Sequence, residues 1–240
     1  MKTQQIAILF DKSGSMNGKQ EFAVNAMNEQ VQTLRERSEE FDILVTLVHF
    51  NHNVEFILTN APAAELQEIP LSAYQPNGGT ALRDAIGVTI DTLTKECPDG
   101  DGDFLVIVIT DGEDTSSSIF NQSHMAEKIQ TMKDKGWTFT YLGTDESLET
   151  AKAMNIDNVA SFGGPRGVTG MVGPEGAIAK KAVTYASQRV GAGMGRYFEH
   201  RESEAVLCSD GQAPESKAFG AFFNEEEDRK LAEKIQAEED

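Results

Sequence analysis

The sequence predicts a doubly wound α/β fold, a mostly parallel sheet with helices on both faces and one antiparallel strand. Two uninterrupted apolar runs of strand length, Ile6-Ala7-Ile8-Leu9-Phe10 and residues 104–109, lack the alternation of a half-exposed strand, so each must be covered on both faces. Around them, stretches with apolar residues at helical spacing alternate with further strand-length runs, the pattern of right-handed crossovers. Finally, the polar turn Asn51-His52-Asn53 joins the run Ile43–Phe50 to residues 54–58. It is too short for a parallel crossover, so these two strands form an antiparallel hairpin.

Each element follows from its own pattern. Residues 19–36 place Ala23, Met27, Val31 and Leu34 on one helical face with charged and amide residues between them. A second helix carries Leu82, Ile86, Ile90 and Leu93 on one face, with Thr80 at its N-cap, where a hydroxyl can accept a free backbone N–H or instead face a metal. After the run at 104–109 come a helix repeating Met125, Ile129 and Met132, a strand at 138–142, a helix at 148–154 and a strand at 159–162. The six glycines between 163 and 176 predict a long surface loop, followed by a helix through Ile178, Ala182 and Tyr185 after Pro174. The periodicity changes after the glycine-rich segment 191–195. Residues 197–240 hold 13 acidic and 5 basic residues, and Asn224, Glu227, Leu231 and Ile235 predict a short capped helix there. The expected division is therefore one domain over 1–195 and an acidic tail over 196–240.

A net charge of −18 disfavours attraction to nucleic acid or to anionic membrane surfaces. Cys97 and Cys208 are too few for a disulfide framework and fit reduced thiols. Residues 1–5 carry one lysine and lead straight into a short apolar run ending at Asp11, so neither a signal peptide nor a membrane span is expected. The expected location is the cytoplasm.

The candidate chemistry lies at strand ends. Asp11-Lys12-Ser13-Gly14-Ser15 and Thr110-Asp111-Gly112-Glu113-Asp114 each follow an apolar strand, and Asn77-Gly78-Gly79-Thr80 supplies one more hydroxyl before a helix. In an open α/β sheet, ligands bind beyond the carboxyl ends of strands where the strand order reverses. If the strands ending at Asp11 and Asp111 are neighbours, both aspartates and Thr80 converge there. In an extended loop Asp11, Ser13 and Ser15 would lean to one side, with Gly14 permitting a sharp turn. Such an oxygen set selects a hard cation, Mg²⁺ first, with Mn²⁺ and Ca²⁺ as alternatives. A shell of neutral hydroxyls leaves the ion short of negative charge, so it should seek an Asp or Glu carboxylate from a partner protein. Glu113 and Asp114 read as a solvated acidic turn, His49 and His52 as residues on opposite faces, and His124 as a helix-surface residue.

The motif Asp11-x-Ser13-x-Ser15, with Thr80 and the strand-ending Asp111, resembles the metal-ion-dependent adhesion site of von Willebrand factor type A domains, matching all five positions over a resemblance that spans residues 3–190. That resemblance implies a Rossmann-like sheet with the hairpin's second strand antiparallel at an edge, and non-enzymatic protein binding through a cation. It also suggests, as a partner class, the MoxR-type AAA+ ATPases linked with intracellular prokaryotic and phage members. Two other readings stay open. In one the metal only stabilises the loops of a structural or assembly protein. In the other the chain is a Mg²⁺-dependent phosphohydrolase with Asp11 as nucleophile, against which Ser13 stands where a second acid is wanted. Homo-oligomerisation is possible but not indicated.

Overall fold

In the computed structural model the described residues are 3–97, 102–112 and 114–161. Six strands form one sheet: β1 (Thr3–Asp11), β2 (Ile43–Phe50), β3 (Val54–Pro62), β4 (Gly102–Ile109), β5 (Thr138–Gly143) and β6 (Asn158–Ser161). Four helices accompany them: α1 (Gln20–Arg37), α2 (Leu82–Glu96), α3 (Gln122–Asp134) and α4 (Leu148–Ala153). The strand order is β3-β2-β1-β4-β5-β6, with every pairing parallel except β2 with β3. The chain moves outward from β1 to one edge and then returns to β4 to build the other side. The order therefore reverses between β1 and β4.

Strand alternation divides the core into two layers. Ile6, Ile8 and Phe10 of β1 pack with Val24, Met27, Val31 and Leu34 of α1. Ala7 and Leu9, pointing the other way, pack with Leu82, Ile86 and Ile90 of α2 and Met125 and Ile129 of α3. Each of the larger aliphatic side chains contributes about 1.5–3 kcal/mol on full burial, which is why the two central strands tolerate no polar alternation. Arg35 and Arg37 in the last turn of α1 complement the negative end of its dipole.

The hairpin lies as expected, but β3 continues to Pro62, four residues past the expected end. The extension works because Asn60 adopts a left-handed φ of 50° and its N–H donates to the Thr46 hydroxyl (3.2 Å), while the pairing with β2 shifts register. The helix after Thr80 is capped by Ala81 without a side-chain bond, so Thr80 does not serve as its N-cap. Among the described residues no helix is long and apolar enough to cross a membrane. The glycine-rich segments at 163–176 and 191–195, the helix through Ile178, Glu113, the tail and the boundary at 195/196 lie outside the described residues.

Candidate metal centre

The carboxyl ends of β1 and β4 stand side by side at the reversal point, with Phe10 paired to Ile109. The loops that leave them are stitched by backbone bonds. Lys12 N donates to Phe50 O (2.6 Å), Gly14 N to Gly78 O (2.9 Å), Asn77 N to Lys12 O (2.8 Å), and Ala81 N to Asn51 O (2.6 Å). Thr115 N and Ser116 N both donate to Thr80 O at 2.9 Å. Three sequence-distant segments thus form one surface over the sheet.

Residues after Asp11 do not run on in extended form. Ser13 is extended (φ −69°, ψ 162°), and Gly14–Met16 then makes a 3-10 turn. Gly14 is needed for proximity rather than for a left-handed turn, since a Cβ there would lie 3.1 Å from Gly78 O. Gly78 does adopt a positive φ, 76°, and a Cβ on it would collide with the His52 imidazole.

Four of the five expected ligands form a continuous chain. Ser13 N donates to Asp11 Oδ1 (2.6 Å), the Ser13 and Ser15 hydroxyls share a bond (3.0 Å), and Ser15 Oγ donates to Asp111 Oδ1 (2.8 Å). Thr80 stands beside them without bonding to them. A Cβ at Gly112 would lie 3.6 Å from the Thr80 methyl, 3.5 Å from Ser15 Oγ and 3.6 Å from Thr110 Oγ1. Thr80 is buried; its N–H donates to Thr115 Oγ1 (2.9 Å) and its carbonyl accepts from Thr115 N and Ser116 N.

Asp11 is fully buried, and that burial pushes its carboxyl up to about 6, with the Asp111 charge adding to the rise. Bonds from the Thr110 hydroxyl (2.5 Å to Oδ2) and from Ser13 work in the opposite direction. The Tyr74 hydroxyl donates to Asp11 O (2.5 Å), and burial followed by the two aspartate charges holds that phenol above the usual range. His49 lies against the Phe10 ring (centroids 5.7 Å apart), with its imidazole lowered to about 4 by burial and then by Lys12.

Several neighbours of the site escape a reading of the sequence. Lys19, just before α1, places its ammonium on Asp111 Oδ2 and on Ser15 O (3.1 Å). Thr110 bridges Asp11 and Gly112 N (3.1 Å), so it is as much a part of the centre as the aspartate that follows it. Asp114 corrects the expectation of a solvated turn. Its side chain is 3% exposed, ion-paired to Arg83 (3.0 Å), and accepts from Ser117 N and Oγ. Asp84, buried in the first turn of α2, accepts the backbone N–H groups of Ser118 (2.8 Å), Ile119 (3.0 Å) and Phe120 (2.9 Å). An acid in the first turn of a helix was its only signal.

Three observations fit these residues to a hard divalent ion. Asp11 is a buried carboxylate with no cation of its own, Thr80 is a buried hydroxyl residue on the adjoining loop, and the one ammonium present sits on Asp111. The centre would depend on hydroxyls, because no three His, Cys, Asp or Glu side chains gather to hold an ion among the described residues.

Solved structures share this fold at low identity. A von Willebrand factor type A protein from Catenulispora acidiphila matches at 19% identity and a TM-score of 0.54, over 79% of this chain and 43% of that one. The present chain thus spans less than half the length of that relative. BatB from Bacteroides thetaiotaomicron matches at 18% identity and 0.53, over 79% of this chain and 100% of that one. Manganese-loaded TRAP protein from Plasmodium vivax matches at 15% and 0.50, over 67% and 68%. No curated protein matches the chain. The model of the von Willebrand factor type A domain matches residues 5–164, more than half of the sequence, and the chain belongs to that family.

Proposed function

We propose that this chain is a non-enzymatic, divalent-cation-dependent protein-binding module. Asp11, Ser13, Ser15, Thr80 and Asp111 would hold Mg²⁺, with Mn²⁺ or Ca²⁺ as substitutes, and an Asp or Glu of a partner protein would complete the shell. Domains of this family typically serve as protein-interaction or adhesion modules and often bind a divalent metal. The observation that carries the reading is the hydrogen-bonded chain from Asp11 through Ser13 and Ser15 to Asp111, with Thr80 on the adjoining loop. When bound, the ion would supply a Lewis-acidic contact for an external carboxylate, and these five residues would hold it at the carboxyl ends of β1 and β4.

The phosphohydrolase alternative fares worse. Asp11 would be its nucleophile, yet it is fully buried and both of its oxygens are engaged, by Ser13 N and by Thr110 Oγ1. The adaptor role, the cytoplasmic setting and a MoxR-type AAA+ ATPase as partner complete the proposal, and rest on the family resemblance.

Capture from native lysate tests it, with wild type and Ser13→Ala each in Mg²⁺ and in EDTA. The expected result is a partner retained by wild type in Mg²⁺ alone. A partner retained in all four conditions overturns metal-dependent docking and favours the assembly reading.

A further inference from the structure

We propose that Lys19 sets the charge of the cation site. Its ammonium holds Asp111 when no divalent ion is bound, weakens the binding of that ion, and leaves the loaded site with one positive charge for a single external carboxylate to neutralise. The inference rests on the reading of the centre as a divalent-cation site.

Lys19 is placed by the local fold. It ends the short connection between the 3-10 turn and α1, where its N–H donates to Met16 O (3.0 Å). From there the side chain reaches inward, bonding Ser15 O (3.1 Å) and Asp111 Oδ2. The Lys19 side chain is 38% exposed and that of Asp111 only 1%, so the ammonium links the rim of the site to its floor. Asp111 uses its other oxygen, Oδ1, for the Ser15 hydroxyl. One aspartate thus joins the hydroxyl chain to a cation supplied by the protein itself. No other described cation forms an ion pair with Asp11 or Asp111. Arg83 is committed to Asp114, and Lys12 lies near His49.

Charge arithmetic gives the consequence. Asp11 and Asp111 bring −2 and Lys19 brings +1. A divalent ion raises the sum to +1, and one docked carboxylate brings it to zero. Without Lys19 the loaded site is already neutral, and a docked carboxylate leaves an excess negative charge beside an Asp111 side chain only 1% exposed. Removing this lysine must therefore act in opposite directions on the ion and on the carboxylate, because like and unlike charges at the same distance carry opposite signs. Loss of a packing contact would move both affinities the same way.

The test uses the full chain as wild type, Lys19→Met, Lys19→Gln and Lys19→Arg, with Mn²⁺ as the ion and acetate as the carboxylate. Free Mn²⁺ is counted by its electron paramagnetic resonance signal. Acetate binding is followed as the loss of water-proton relaxation enhancement when a bound water is displaced. Lys19→Met and Lys19→Gln should bind Mn²⁺ about tenfold more tightly and acetate about tenfold more weakly, the equivalent of about 1.4 kcal/mol each way. Lys19→Arg should stay within about twofold of wild type, since it keeps the charge. Unchanged affinities in the neutral variants, or both affinities moving together, overturn the role of Lys19 while leaving the cation site standing. Failure of wild type and all variants to bind Mn²⁺ overturns the site itself, and this inference with it.

Discussion

Replacing Asp11 by asparagine separates the cost of burying a carboxylate from its use. The carboxyl rises from an ordinary 3.8 to about 6 because the side chain is buried, and at pH 7.5 the metal-free fold carries it ionised. A rise of roughly two pH units corresponds to about 3 kcal/mol. The sign follows from linkage. A carboxyl raised by folding contributes its full stability below the unfolded value near 4 and loses it as pH climbs through about 6. At pH 7.5 the loss is complete. Asparagine can still accept from Ser13 N, and its amide can donate to the Thr110 hydroxyl, so the neutral side chain preserves the local geometry. In EDTA, Asp11→Asn should therefore raise the urea-unfolding free energy by about 3 kcal/mol at pH 7.5 and change it little near pH 4. The same variant should lose the thermal shift that Mg²⁺ gives wild type. His49 runs the other way: its imidazole is lowered to about 4, so its contribution is present above the unfolded value near 6.5 and disappears as pH falls toward 4. With the opposing Asp11 slope removed, the variant's stability should rise from pH 4 to 6.5 more steeply than wild type's. A variant less stable than wild type in EDTA at pH 7.5 would refute the reasoning, because the bonds to the carboxylate would then outweigh its burial.

Two further substitutions probe the supports of the site. Asp84→Ala removes the acceptor for the Ser118, Ile119 and Phe120 N–H groups, and should cost about 2–4 kcal/mol in urea denaturation, with Asp84→Asn recovering part of it. Tyr74→Phe leaves the buried Asp11 carbonyl without its phenol donor, and should cost about 1–2 kcal/mol by the same measurement.

The central strands were legible because a strand covered on both faces has no freedom to be polar, and Ile6 to Phe10 shows that requirement directly. The two aspartates were legible as strand-end acids, and the reversal between β1 and β4 brings those strand ends together. What escaped depends on tertiary geometry. The end of β3 turned on one left-handed residue, Asn60, whose N–H finds Thr46 fourteen positions earlier. Asp114 looked like a solvated acid because its partner, Arg83, is thirty-one residues away on α2. Thr80 looked like a cap because hydroxyls before helices usually are, yet its backbone is occupied by Thr115 and Ser116 and the helix begins without it. Lys19 stands just before α1 with no motif around it, and only the fold brings it to a residue ninety-two positions later.

The way the loops are held bears on what an ion at this centre would do. Gly14 to Gly78, Asn77 to Lys12, Ala81 to Asn51 and Thr115 to Thr80 are backbone bonds between separate segments, and none of them passes through the side chain of a proposed ligand. Arg83 and Asp84 of α2 fix the segment after β4, through Asp114 and Ser118, again without using the centre. An ion whose task was to rigidify these loops would have little left to fix. The groups that face the centre are instead a buried carboxyl raised by its surroundings, a buried threonine, and an aspartate neutralised by a lysine reaching in from the rim. Charged groups gathered at one point of a scaffold whose loops are held independently of them favour docking over a purely structural role for an ion there.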